Sequence, residues 1–354
     1  MTDSIVFMNH RVNLARRPDR DFLSAWWRIA ARDPFWGPPP YHLMRRRLKQ
    51  CDPTEYAFAY VEAYPRKSPG RDPLTTQQPS GVFWEIPLAA AGLHFHPELP
   101  EGAALLVMLR SANDRDSLEI LFDKLLELCR HRRVRRLIGP VGMFPPLGMG
   151  IQLDRWNQSP GMFAPQFPPY FPELIAEMYP TPKPIAQGHI FRIHPATSPT
   201  RPVSAPQQRA ALTDILSAQR ERFGMHPLFP PPTLDSVFSL AHMLETWGGT
   251  TSMTANSGLV AVPELSSGMR RLRGGKGWWR RWALNALPRM ASSTGHVPLV
   301  WGSGENGLEM LTDLTQECGW QSVMVGPIFD MHPWYESLSS AERVHTYELY
   351  EWEL

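Results

Sequence analysis

The stretch LLVMLRSANDRDSLEILFDKLLELCRHRRVRRLIGPVGMFP, from Leu105 to Pro145, indicates how this chain of 354 residues folds. It begins with an apolar run, continues with leucines at helical spacing, and returns to a second apolar run that ends in Gly-Pro. This order predicts a strand, a helix and a second strand parallel to the first, joined by a right-handed crossover. The loop after the first strand should lie at the carboxyl edge of the sheet, where folds of this class bind ligands.

The same unit occurs again as PLVWGSGENGLEMLTDLTQECGWQSVMVGPIFDMHP, from Pro298 to Pro333. The matched positions are Leu118–Leu121 with Leu308–Leu311, Asp123 with Asp313, Cys129 with Cys318, Gly139-Pro140 with Gly326-Pro327, and Pro169–Phe171 with Pro333–Tyr335. Shared order together with shared identities indicates a duplication, in which one α/β unit is built twice.

A proline-rich segment, HPATSPTRPVSAPQ from His194 to Gln207, separates the two copies. Prolines and small polar residues oppose both helix and sheet, so this composition is typical of a linker. We therefore predict a first half at residues 1–196, a linker at 197–207 and a second half at 208–354. Each half is expected to be an α/β (α+β) domain with its own central, mixed, twisted sheet flanked by helices. A strand closes each half, at His189–Ile193 and His345–Trp352.

The composition of the chain is that of a globular protein. Hydrophobic residues make up 43% and charged residues 20% of the chain, as in a globular protein with a buried core. No apolar run approaches the ~20 residues that cross a bilayer, and the start lacks the apolar core of a secretory signal. Three scattered cysteines fit a reducing compartment, so we expect a cytoplasmic protein. A net charge of +2 argues against nucleic acid as the main ligand. The oligomeric state is not indicated.

Five segments resemble the GNAT superfamily of coenzyme-A-dependent N-acyltransferases in its tandem form, and in particular a bacterial group of tandem GNAT-like proteins. They are Asp33–Pro39, Arg136–Pro140, Ser159–Met162, Pro168–Leu174 and Thr346–Glu351. The resemblance spans nearly the whole chain and implies two GNAT-like domains. It further implies that acetyl-CoA or another acyl-CoA is bound in the loop after the fourth strand of a domain, where small residues let backbone amides approach the diphosphate.

The two copies differ in that loop. In the first half it is Arg110–Asp116, which has no glycine and two aspartates, so coenzyme A is not expected there. In the second half the resemblance assigns coenzyme A to Val300, Trp301, Gly302, Ser303, Gly304, Asn306 and Gly307. The motif departs from the family pattern, because Leu299 stands where glutamine or arginine is usual and Glu305 would repel phosphate. A glycine-rich turn inherited from a working ancestor is the alternative.

The resemblance also assigns a catalytic residue. Tyr335, in an aromatic-Tyr-Glu-x-Leu segment, would be the general acid toward the leaving thiolate, and Glu264 or Asp330 could serve as the base. The implied reaction is acyl transfer to a small-molecule amine or an amino-acid-like acceptor, without a metal. Two alternatives stay open: a binding protein that kept the fold and lost catalysis, and an aminoacyl-tRNA-dependent transferase in which Arg270–Arg281 carries the RNA.

Three other clusters have a functional and a structural interpretation. His94, His96 and Glu98 could ligate a metal if they share one face of a strand, but polar histidines at a strand end are the simpler interpretation. The run Arg130–Arg136 could hold phosphates, yet cations are also favoured at a helix carboxyl end. The segment Met269–Trp282 mixes tryptophans with arginines, which suits a membrane surface, a nucleic acid or the lining of an acyl cleft.

Overall fold

The computed structural model describes residues 8–65, 85–96, 99–143, 148–161, 163–194, 244, 247–254, 257–284, 286–287 and 292–354. Its strands are β1 Met8–Leu14, β2 Tyr56–Pro65, β3 Ile86–His94, β4 Ala103–Ser111, β5 Arg136–Val141, β6 Ile151–Gln152, β7 Lys183–Ile193, β8 Thr250–Met253, β9 Ser257–Pro263, β10 Thr294–Gly302, β11 Ser322–Phe329 and β12 Glu342–Glu353. Its helices are α1 Asp21–Ala30, α2 Tyr41–Lys49, α3 Arg115–His131, α4 Phe171–Ala176, α5 Ser266–Arg271, α6 Trp278–Leu284, α7 Gly307–Glu317 and α8 Trp334–Ser337; a 3₁₀ turn spans Arg273–Gly275.

All twelve strands belong to one mixed sheet. Its order is β1-β2-β3-β4-β5-β12-β7-β11-β10-β9-β8, with β6 paired to β12. The β4–β5 and β10–β11 pairs are parallel, and the other recorded pairs are antiparallel. The protein is therefore of the mixed α/β class, as the sequence predicts.

The two parallel pairs are the two copies of the repeated unit. The chain runs from β4 through α3 to β5, and later from β10 through α7 to β11. The matched Gly-Pro dipeptides lie at corresponding places, Gly139-Pro140 in β5 and Gly326-Pro327 in β11. The register shifts beside each dipeptide, between Leu105 and Val107 on β4 and between Val325 and Ile328 on β11.

The closing strands β7 and β12 are exchanged between the halves. Strand β7 ends the first half in sequence but pairs with β11 of the second half, while β12 ends the chain and pairs with β5 of the first half. The two strands also pair with each other along most of their length. The expectation of a separate sheet for each half is therefore wrong, because this exchange joins both sheets into one. The domain boundaries remain a prediction, and the linker at 197–207 lies outside the described residues.

Helices cover both faces of the sheet. In the first half, α3 packs its leucines and Phe122 on one face, while Phe22, Trp26 and Trp27 of α1 pack on the other. In the second half, α7 and α8 pack with Val323 and Val325 on one face, and α5 and α6 pack on the opposite face. This arrangement leaves the carboxyl ends of the parallel strands at the sheet edge, where the candidate site lies.

Most predicted elements that fall within the described residues are present within a few positions of their expected ends. Helix α2 and the helices of Met269–Trp282 were not predicted, because their sequences are rich in arginine and have no long apolar stripe. The sequence also predicts helices at 210–220 and 234–245 and strands at 5–8 and 81–86. Apart from Met8, Glu85, Ile86 and Leu244, these positions lie outside the described residues. Within the described residues, no helix combines the length and apolar character required to cross a bilayer.

Candidate functional site

The glycine loop of the second half connects β10 to α7 through three left-handed residues. The backbone angle φ is 86° at Gly302, 73° at Gly304 and 58° at Asn306. The amide of Gly307 donates to the carbonyl of Gly304 at 2.8 Å, and the amide of Glu305 donates to Ser303 Oγ at 3.3 Å. Left-handed positions let the chain turn sharply from strand to helix.

The amino ends of α3 and α7 differ in how they are capped. Asp114 caps α3, because its carboxylate accepts a hydrogen bond from the amide of Ser117 at 3.2 Å; it also lies 3.5 Å from His10 Nε2. Helix α7 begins after Asn306, whose side chain makes no capping hydrogen bond. A helix amino end carries partial positive charge and unpaired amides, which favour an anion. The Asp114 carboxylate supplies that negative charge directly at the end of α3, whereas the Asn306 side chain does not cap α7, whose first turn carries Glu309.

Two of the loop glycines have no room for a side chain, because Trp334 lies against them. A Cβ atom on Gly304 would lie 2.8 Å from Trp334 Cα, and one on Gly307 would lie 2.9 Å from Cε3 of the Trp334 indole. Trp334 is fully buried, and its Nε1 donates to the carbonyl of Trp301 at 2.9 Å. The small residues at 304 and 307 therefore allow α8 to pack closely against the loop.

The carbonyl of Trp301 lies where β10 and β11 have separated. Their recorded pairing ends at Val297 and Val325, although both strands continue. Trp334 covers this gap from α8. The first half has an equivalent contact, since Tyr170, the residue before α4, donates its hydroxyl to the carbonyl of Ser111 at 3.0 Å. These contacts place the matched segments around Tyr170 and Trp334 in corresponding positions.

Tyr335 follows Trp334 on α8 and lies at the same sheet edge as the glycine loop. Its ring is 5.9 Å from the ring of His189 and 5.7 Å from that of Phe191, measured between centroids. The guanidinium of Arg343 is 5.9 Å from the Tyr335 ring centroid. Burial lowers the pKa of His189, so this neighbour is neutral near pH 7. The recorded ring contacts of Tyr335 are thus with β7 and β12, and it is Trp334 beside it that packs against the predicted loop.

The two predicted bases lie at opposite ends of the strands. The amide of Glu264 donates to the carbonyl of Thr294, the first residue of β10, whereas the loop follows the last residue of that strand. At ~3.3 Å per residue, β10 separates Glu264 from the loop by more than ~20 Å. Glu264 is therefore excluded as the base for this site. Asp330 directly follows β11, at the same edge as the loop.

A cavity of about 90 Å³ lies in the first half, and sequence reasoning missed it. It occupies the region where β4 and β5 separate after Val107 and Val141. Its walls include Trp26, Trp36, Met44, Met108, Arg110, Val141, Gly142, Ala164 and Phe167. The only signal in the sequence is that Arg110 follows directly on an apolar strand, which places a cation beside the core.

The other clusters noted in the sequence have structural roles where the structure describes them. His94 stacks on Tyr56 with ring centroids 3.9 Å apart, and burial lowers its pKa to about 3; Glu98 lies outside the described residues. Arg132 donates to the carbonyl of Thr54, and Arg136 pairs with Glu351. Among the described residues, no three histidines, cysteines or carboxylates are grouped as metal ligands.

The tryptophans of α6 project from the surface. Trp278 is 86% exposed and Trp282 is 78% exposed, so neither lines a cleft. The preceding segment contacts the first half, because Arg270 donates to the carbonyl of Phe35 at 2.7 Å and Lys276 Nζ lies 5.4 Å from the Tyr41 ring centroid. Part of this segment therefore holds the two halves together.

Comparisons with known proteins give similarity at the level of structure only. No family model matches the chain, and no curated protein matches it. A GCN5-related N-acetyltransferase from Sphaerobacter thermophilus is 10% identical, with 98% of this chain and 95% of that chain covered and a TM-score of 0.46. One from Kribbella flavida is 10% identical, covering 96% and 71%, with a TM-score of 0.42. The crystal structure of FemX is also 10% identical, covering 97% of each chain, with a TM-score of 0.36. The structural neighbours that span nearly the whole chain thus include GCN5-related N-acetyltransferases, the family that the sequence resembles.

Proposed function

We propose that this protein is an N-acyltransferase that moves an acyl group from acyl-coenzyme A to an amine, with its site in the second half. The observation that carries the proposal is the meeting of the glycine loop with α8 where β10 and β11 separate. The loop and Tyr335 are about thirty residues apart in sequence, and Gly304 and Gly307 contact the residue beside Tyr335. A small-molecule amine, or an amino-acid-like amine, is the proposed acceptor.

The uncapped end of α7 supports binding of the diphosphate. Because Gly304 and Gly307 face Trp334, the diphosphate would lie along Ser303 and Asn306, toward the first amides of α7. The first half offers no such place, since Asp114 already occupies the end of α3. On this proposal, the loop of the second half holds the anionic end of coenzyme A and the corresponding loop of the first half does not.

Each group in this proposal has one task. The loop amides and α7 hold the diphosphate, since partial positive charge there stabilises an anion. The bound thioester supplies the acyl group. The Tyr335 hydroxyl holds a proton for the sulfur that leaves, and the Asp330 carboxylate accepts a proton from the attacking amine.

Asn306→Asp is expected to weaken acetyl-CoA binding about tenfold or more, which corresponds to about 1.4 kcal/mol. The new carboxylate would repel the diphosphate and would itself occupy the amino end of α7. The fold should persist, because aspartate tolerates the left-handed conformation and is a good helix cap. Calorimetric titration with acetyl-CoA measures the affinity.

Asn113→Asp is the matched control, because it adds the same charge to the corresponding loop of the first half. It should leave the affinity unchanged, and Glu305→Gln should raise it. Equal affinity of the Asn306→Asp variant and the unmodified protein would contradict a diphosphate site at this loop.

Tyr335→Phe is expected to slow acyl transfer by about 10²-fold while acetyl-CoA binding is retained, as for loss of a general acid. Release of free thiol, measured against a panel of amines and amino acids, reports the rate. If thiol release is the same with and without the hydroxyl, Tyr335 is not the acid.

A binding protein without transfer activity is the second candidate, and Trp334 favours it. The buried indole covers the gap between β10 and β11 and satisfies the carbonyl of Trp301. The indole therefore occupies part of the gap that the arm linking the diphosphate to the thioester would need. Binding of acetyl-CoA without thiol release for any amine would favour this candidate over the transferase.

A further inference from the structure

The walls of the first-half cavity are mostly apolar. Trp26, Trp36, Met44 and Phe167 line it, and each is buried. Its volume is about 90 Å³. An apolar space of this size suits a small organic group better than water, since a buried water needs two to four polar partners.

Arg110 is the charged exception in this wall. Only 7% of it is exposed, and its guanidinium lies 5.6 Å from the centroid of the Trp26 ring and 4.7 Å from that of Phe167. A guanidinium has five N–H groups. The hydrogen bond described for Arg110 runs from one terminal nitrogen to the carbonyl of Gln166. Arg110 also lines the cavity, so its guanidinium lies beside any ligand bound there.

The guanidinium is charged at neutral pH. Burial lowers the pKa of Arg110 to about 10, which is still well above pH 7. Buried cations are normally paired with an anion, because an isolated charge is costly in an apolar interior. Asp33 acts on Arg110 electrostatically, but none of the ion pairs recorded within the described ranges includes Arg110. The cavity thus holds a buried positive charge without a matching carboxylate.

We propose that this cavity binds a small carboxylate, with the carboxylate on Arg110 and the apolar part against Trp26, Trp36 and Phe167. A carboxylate matches the planar guanidinium fork and can accept two parallel hydrogen bonds. A phosphate fits less well, because it carries more charge and the other walls offer it few donors. The volume suits a short chain such as that of butyrate.

This site is separate from the proposed coenzyme A site. It lies between β4 and β5, whereas the glycine loop follows β10 in the other half. The two proposals therefore fail independently: loss of carboxylate binding leaves the response to acetyl-CoA unchanged, and the reverse also holds.

The test measures butyrate against its neutral isostere butyramide, by calorimetry and by ligand-observed NMR. We expect butyrate to bind the unmodified protein at least tenfold more tightly than butyramide. This comparison requires no variant, so it does not depend on how a substituted protein folds. Inorganic phosphate should bind at least tenfold more weakly than butyrate. Equal binding of butyrate and butyramide, or of butyrate and phosphate, would overturn the proposal.

Two substitutions then locate the site. Arg110→Met replaces the cation with an apolar chain of similar length, a change that cores often tolerate. Ala164→Leu adds volume at the wall of the cavity. Both should reduce butyrate affinity at least tenfold without changing acetyl-CoA affinity. Arg115→Gln is the control, since Arg115 is exposed and pairs with Glu119 on α3; it should bind butyrate as before. Unchanged butyrate binding by the Arg110→Met variant would refute the assignment to this cavity.

Discussion

Trp334→Ala is expected to lower the free energy of unfolding by about 3–5 kcal/mol, as for other fully buried tryptophans. The indole packs on Gly304 and Gly307, whose missing side chains leave the room that it fills. Its loss would leave a cavity beside the loop and would leave the carbonyl of Trp301 without its indole donor. Urea unfolding, followed by circular dichroism, measures the change.

Two variants separate packing from the hydrogen bond. Trp334→Phe keeps most of the apolar volume and removes the indole N–H, so we expect a smaller loss, about 1–3 kcal/mol. Trp282→Ala removes a tryptophan that is 78% exposed, so its effect should stay within about 0.5 kcal/mol. A loss below about 1 kcal/mol for Trp334→Ala would show that α8 does not pack against the loop in solution.

The repeated unit could be predicted from the sequence because its signals are local. Helical spacing in Leu118–Leu128 and the apolar runs on either side specify β4, α3 and β5, and the same pattern specifies β10, α7 and β11. The sheet edge that carries the loop and Tyr335 follows from the parallel crossover alone.

The strand exchange could not be predicted, because it depends on long-range pairing. The patterns of β7 and β12 indicate strands, but neither pattern says which half supplies the partner. Each of these strands pairs with a strand of the other half, and the two also pair with each other, so the two β-α-β units share one sheet. The alternation of residues along a strand indicates which face is buried, but the strand with which it pairs depends on the rest of the sheet.

Neither the role of the loop glycines nor the cavity could be predicted from the sequence, because both depend on contacts between residues that are far apart in the chain. Gly304 and Gly307 match a phosphate-binding pattern, yet their close neighbour is Trp334, thirty residues away in sequence. Arg110 lies in β4, and it begins the segment Arg110–Asp116, where the sequence predicts no coenzyme A because the segment has no glycine. Its burial depends on Trp26 of α1 and on the segment near Phe167, which only the fold brings together.

Two buried histidines make the protein sensitive to acid. Burial lowers the pKa of His94 to about 3, with His96 and Arg47 adding to the effect. Burial also lowers the pKa of His345 to about 4, although Asp154, with its Oδ1 3.8 Å from His345 Nδ1, acts in the opposite direction. In the unfolded chain both titrate near pH 6.5. Folding therefore favours the neutral imidazoles.

The stability that these histidines contribute is fully present above about pH 6.5 and is lost as the pH falls toward 4 and 3. When the pH is lowered from 7 to 5, each histidine is expected to lower the free energy of unfolding by about 2 kcal/mol, or about 4 kcal/mol together. The reason is that the unfolded state takes up protons that the folded state does not. Urea unfolding at both pH values measures the loss. His94→Phe should keep the stacking on Tyr56 and reduce the loss by about 2 kcal/mol. An equal loss for the His94→Phe variant and the unmodified protein would mean that His94 is protonated in the folded state near pH 5, contrary to its burial.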